Sequence, residues 1–198
     1  MGTEGATARR PDYDGECVVH WDRPALGCPD CRRDRWGERY PGAPYRRRVV
    51  AVARSLVGAP FRHRGRGRSG VDCVGVLAVV AREVGFVVRP FDAYPEDAEG
   101  PEVSDRLDER FDRVPPGAEV LPGDFFFLEL RRAGRHVGIL TDGGTIVHAR
   151  RFPHEQEGEE TGVVEEVPFD ARWLRRVLIA YRFPGIDSDD GMGGVSDG

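Results

Sequence analysis

Lysine is missing from this 198-residue chain: all 29 basic residues are arginine. That uniform choice reflects coding composition rather than chemistry and excludes nothing. Other shortages exclude more. Acidic residues outnumber basic ones, 34 to 29, giving a formal net charge of −5, so no positive excess marks a nucleic-acid partner. The longest apolar run, Val74 to Ala81, is far too short to span a bilayer, and no membrane partner is expected. The opening stretch MGTEGATARRPDYDGE has no apolar core of secretory-signal length, so a soluble protein without a readable export signal is expected. Phosphate-binding loops and dinucleotide fingerprints are absent as well.

Cysteine is scarce, and its four positions divide unequally. Cys17, Cys28 and Cys31 cluster near the N-terminus beside His20, whereas Cys73 stands alone before an apolar run. Cys17-x2-His20 and Cys28-x2-Cys31 are two short clamps of soft or borderline ligands, the set that tetrahedral zinc requires, with turns supplied by Pro24, Gly27 and Pro29. A structural zinc knuckle over residues 15–45 is expected; an arm with incidental cysteines, or a local disulfide, is the plain alternative. No cofactor is expected to serve catalysis.

Hydrophobic residues make up 39% of the chain, enough for one ordinary core. Residues 1–14 read as a polar, flexible N-terminus, 46–184 as the main domain, and 185–198, rich in Gly, Asp and Ser, as a disordered tail. Within the main domain, YRRRVVAVARSLVG has helical periodicity and CVGVLAVVAREVG reads as a buried helix ending at Gly85. Between them runs a basic, Gly-rich loop containing Arg62, His63, Arg64, Arg66 and Arg68. A charged helix is expected over 102–113. Strand-like runs follow at 125–130, 136–140, 145–149, 162–167 and 178–183, with a hairpin turn at 142–144. Helices first and strands after predict an α+β fold on an antiparallel sheet.

Cys73 sits where the Gly-rich loop becomes a helix, and the positive end of a helix dipole favours thiolate there. The local pattern alone fits an inert buried thiol equally well. His136 and His148 flank the hairpin turn on consecutive strands, so one imidazole could face the thiol while the other orients it. Two ordinary strand histidines are the alternative. His63, on the loop before Cys73, ranks below His136 as a base. His154 reads as a surface residue, Asp124 as a turn closer, and the arginine loop as a solvated stretch.

Four segments, in this order, carry a resemblance: SLVGAPFRHRGRGRSGVDCVGVL, LPGDFFFLEL, RHVGIL and TIVHA. Together they resemble the NlpC-type cysteine peptidase family over about residues 46–184, and the closing VLIAYRFPG is similar to phage and gene-transfer-agent cell-wall peptidases of that family. The resemblance implies a papain-like domain with Cys73 as nucleophile, His136 as base and His148 as third polar residue. It further implies that Asp72 helps hold the free amine of a peptidoglycan stem, and that the bond after γ-D-glutamate is cut. The implied setting is a phage or phage-like tail tip, with tail or hub proteins as partners and the host cytoplasm before assembly. Phe61, expected at the substrate, stands where many members carry Tyr, and Val74 where many carry Ser. Those departures keep two alternatives open: a tail-tip subunit that retains the fold with little activity, and an acyl transferase. Of these expectations the zinc knuckle is directly measurable: elemental analysis of protein purified without added metal should find about one Zn per chain. Cys28→Ser should abolish it while sparing the reactivity of Cys73, and a metal-free but folded 15–45 segment would overturn it.

Overall fold

The computed structural model describes residues 41–89, 102–130, 134–152 and 161–187. Cys17, His20, Cys28 and Cys31, with most of the expected knuckle, lie outside the described residues, as do His154 and the tail from 188 onward. Among the described residues, no helix is long and apolar enough to cross a membrane.

Helix α1 (Ala43–Ser55) opens at Pro44, near its first turn, and turns Val49, Val50 and Ala53 inward at helical spacing. It begins three residues before the expected domain boundary, with Ala43 already buried. The Arg- and Gly-rich loop is more ordered than its composition suggests: Arg66–Gly67 (β1) and Gly70–Val71 (β2) pair as a short hairpin. Helix α2 (Cys73–Val84) follows, apolar on nearly every side and stopped by Gly85 in the left-handed region. The expected helix over 102–113 is shorter. It ends as α3 (Glu102–Asp108), because Phe111 turns into the core and Asp112–Arg113 (β3) pairs with the last strand.

The remaining elements are β4 (Phe125–Leu130), β5 (Gly134–Leu140), β6 (Thr145–Arg151), β7 (Gly162–Pro168), the short helix α4 (Ala171–Leu174) and β8 (Val177–Arg182). Six strands form one antiparallel sheet in the order β3-β8-β4-β5-β6-β7. The α+β, helices-on-antiparallel-sheet expectation therefore holds.

Strand alternation divides the sheet between two cores. Phe125, Phe127, Val137, Ile139, Val147 and Ala149 face α1 and α2, whereas Phe126, Leu128, Leu140 and Ile146 face Phe169, with Trp173 and Leu174 of the α4 turn packed beside them. The outer edge of β7 is not left bare. Gly58 donates to the carbonyl of Val164, Val164 to that of Ala59, and Phe61 to that of Gly162, so residues 58–61 run along β7 like a further strand.

Arg46 of α1 is fully buried, as is Asp124 at the entry to β4. They pair at 2.9 Å, and Arg182 of β8 approaches the second Asp124 oxygen at 3.0 Å. Asp124 also accepts from the backbone of Leu121 at 2.9 Å, closing its turn as the sequence suggests. The tail boundary at 185 is a correction: Ile186 is 1% exposed within the helix-side core, and Asp187 pairs with both Arg46 and Arg182. An isolated apolar residue among Gly, Asp and Ser has no periodicity to reveal it. Truncation after Asp187 should leave urea-induced unfolding unchanged. Truncation after Gly185 should lower stability by about 2–5 kcal/mol, the cost of emptying a buried Ile site, and equal stability of the two would exclude this packing.

Candidate active site

Asp72 organises the start of α2. It is the N-cap, and its Oδ1 accepts from the Gly75 backbone at 2.6 Å. The same oxygen takes Arg66 Nη1 at 2.9 Å, while Oδ2 takes the Arg64 backbone N–H at 2.7 Å. The carboxylate thus caps the helix and staples the preceding hairpin to it. Gly75 is needed at this junction because a Cβ there would lie 2.1 Å from the carbonyl oxygen of Gly65. Asp72 is only 3% exposed, and both of its oxygens carry a structural task within their own chain. His63 Nδ1 stands 4.0 Å from Asp72 Oδ2, on the loop side of the junction.

Cys73 is the first residue of α2. Its sulfur receives backbone N–H groups from Val74 and from Val137, the residue after His136, so the helix start lies against β5 at the histidine. Although the residue as a whole is only partly covered, burial of the sulfur is the largest influence on it. Burial, with the Asp72 carboxylate beside it, pushes the thiol up to about 12, against the pull of the two N–H groups and Arg66. Burial and the adjacent anion thus act against the lowered thiol expected from a helix N-terminus.

His136 and His148 meet directly, Nε2 of the first 3.0 Å from Nδ1 of the second, rings edge to face. The β5–β6 ladder explains how. Backbone pairing covers Leu140–Ile146 and Ile139–Val147 and stops there. One step further Gly138 stands opposite His148 without a side chain, so the His136 ring reaches diagonally across to it. Burial and the neighbouring His148 hold His136 down to about 3; burial and Arg150 hold His148 down to about 4. Burial thus works against charge on all three groups and favours a protonated thiol beside two neutral imidazoles.

Phe61 is partly buried against the helix-side core, and it bridges Val71, two residues before Cys73. Trp173 packs edge-on against His148 at 5.0 Å. One residue beside the site was missed in the sequence. Glu165 Oε1 lies 3.3 Å from His148 Nε2, within ion-pair range but not aligned as a hydrogen bond. Its only signal was a position in the run GVVEEV, which does not reveal the strand opposite.

The family model described as the NlpC/P60 family matches residues 58–173, more than half of the chain. No curated protein sequence matches. Similar solved structures include the NlpC/p60 domain of peptidoglycan hydrolase SagA, 23% identical with a TM-score of 0.44, covering 70% of this chain and 98% of that one. NlpC1 from Trichomonas vaginalis is 17% identical with a TM-score of 0.48, over 71% of this chain and 44% of that one. An NlpC/P60 family protein from Bacillus cereus ATCC 10987 is 18% identical with a TM-score of 0.47, over 70% and 40%. The chain thus spans less than half the length of the last two.

The charge balance around the thiol is open to measurement through alkylation. Because the thiol is held up, alkylation of Cys73 should rise about tenfold per pH unit through neutral and mildly alkaline pH, without a plateau. Asp72→Asn keeps an oxygen for the Gly75 cap but removes the anion, so its profile should shift to lower pH. An unmoved profile would show that Asp72 does not set the thiol's state.

Proposed function

The chain belongs to the NlpC/P60 family, and on that footing we propose that it is a cysteine peptidase hydrolysing peptide stems of bacterial peptidoglycan. The observation that carries this reading is the convergence of three elements: the α2 start brings Cys73 against β5 next to His136, and β6 brings His148 onto His136. A nucleophile, a base and an orienting group in that sequence of contacts suit acyl transfer.

In this reading Cys73 Sγ attacks the scissile carbonyl carbon as its proton passes to His136 through Nδ1, the nitrogen not engaged by His148. Thiol and imidazole are neutral at rest, so proton transfer and attack proceed together, each new charge stabilising the other. The oxyanion formed meets the backbone N–H of Cys73 at the α2 N-terminus, ahead of the first intrahelical bond, from Val76 to Asp72; the Val74 and Gly75 N–H groups are engaged by the sulfur and by Asp72. His136 then protonates the leaving amine as the C–N bond breaks, leaving a thioester on Cys73. Water attacks the thioester carbonyl as His136 takes one of its protons; the C–S bond then breaks, the carboxylic acid product leaves, and His136 returns the proton to the Cys73 thiolate. Phe61 supplies an apolar wall beside the helix start.

The finer reading is an endopeptidase for the bond between γ-D-glutamate and a diamino acid, working at a phage or phage-like tail tip among tail or hub proteins. It is supported by the motifs around Cys73, His136 and His148 and by the closing segment VLIAYRFPG. The named activity of the SagA domain, a peptidoglycan hydrolase, accords with the substrate class.

Mass spectrometry of purified peptidoglycan after incubation should show new termini at γ-D-glutamate, and none with Cys73→Ala. His136→Ala should lower turnover by about 10²–10⁴-fold, the usual worth of a general base. His148→Ala should cost less, and His148→Asn should recover part of that loss. Intact peptidoglycan with folded wild-type protein would favour the structural subunit instead.

A further inference from the structure

Glu165 is the register partner of His148 across β6 and β7. Its Oε1 lies 3.3 Å from His148 Nε2, a buried nitrogen with no aligned hydrogen-bond partner among the described residues. A buried ring nitrogen left unpaired is costly, and among the described residues the carboxylate is the polar group within reach of it. An ionised carboxylate is acceptor-only, so this approach is favourable when His148 Nε2 carries the hydrogen. A neutral imidazole has one N–H, which makes His148 Nδ1 a lone pair. That lone pair faces His136 Nε2 at 3.0 Å, so His136 Nε2 is the donor there and His136 Nδ1 is left unprotonated. Burial, which keeps both rings neutral at pH 7, is what makes the count of one N–H per ring apply.

We propose that Glu165 is a positioning residue that fixes the tautomer of His148 and, through it, that of His136, so that the base presents a free nitrogen at Nδ1. This rests on the reading of Cys73 and His136 as nucleophile and base. Among the described residues, the charged and titratable groups facing His148 are His136 from β5, Arg150 two residues further along β6, and Glu165 from β7; the α4 turn contributes the uncharged Trp173 ring. Arg150 Nη1 also lies 3.5 Å from the same Glu165 oxygen, so cation and imidazole share one acceptor. Proton direction along the chain runs from thiol to His136 Nδ1, with the new imidazolium donating through Nε2 to His148 and His148 donating through Nε2 towards Glu165.

The test is long-range ¹H–¹⁵N imidazole spectroscopy on the full chain at neutral pH, assigned with His136→Gln and His148→Gln. The wild type should show both histidines protonated at Nε2. Glu165→Gln, whose amide oxygen still accepts, should retain this pattern; Glu165→Ala should give His148 a mixture of tautomers. Peptidoglycan turnover should follow, falling about ten- to a hundredfold in Glu165→Ala and largely recovering in Glu165→Gln. If Glu165→Ala does not fold, Glu165→Val, which suits a strand, replaces it. His148 protonated at Nδ1 in the wild type, or tautomers indifferent to residue 165, would overturn the proposal. Because the spectra need no substrate, an inactive protein with the expected tautomers would count against the peptidase reading alone.

Discussion

Everything else in the domain is arranged around one buried guanidinium. Arg46 reaches Asp124 and the carbonyl of Pro122 through Nη1, the carbonyl of Pro41 through Nε and Asp187 through Nη2. A cation so completely removed from water is tolerable only when its donors are matched, and removing one partner from such a pair costs about 3–5 kcal/mol. The contacts tie the first helix to the entry of β4 and to the segment following β8, elements separated by 76 or more positions. With α1 pinned to the sheet, α2 packs between α1 and β5, and its first residue is delivered to the strand that carries His136.

At that delivery point the same carboxylate has opposing consequences. Asp72 caps α2, holds the β1–β2 hairpin through Arg66 and the Arg64 backbone, and so fixes where the sulfur lies. Its charge, next to a desolvated thiol, also works against ionisation. Geometry is secured at the expense of resting reactivity. In the proposed peptidase reading the histidine pair offsets this by accepting the proton at the moment of attack, and the thiol stays quiet until a substrate carbonyl is in reach.

The sequence made the local parts of this arrangement legible. Apolar spacing located α1, α2 and the five principal strands, the turn at 142–144 predicted the hairpin that joins His136 to His148, and Asp124 read correctly as a turn closer. What it concealed depends on distant partners. The hairpin at 66–71 lies in an Arg/Gly run with no alternation to mark strands. The burial of Arg46 follows from acceptors far along the chain, and Ile186 is a single apolar residue in a polar stretch. The burial of the Cys73 sulfur was hidden for the same reason: helix position is a local fact, whereas desolvation is set by what packs over the sulfur. Glu165 could not be recognised before its register opposite His148 was known.

The strand-like run of residues 58–61 along β7 joins two regions that the sequence keeps far apart. One end of this seam leads through Phe61 into the hairpin and the start of α2; the other is the strand that bears Glu165. The Cys73 side and the histidine side of the site are therefore stitched to a common selvedge and share its fate. Were that border to fray, the amides of Gly58, Phe61 and Val164 would open to solvent as one unit, and the loop before Cys73 and the histidines' support would loosen together. Local melting at a sheet margin, remote in sequence from the chemistry, thereby becomes a way of disarming it.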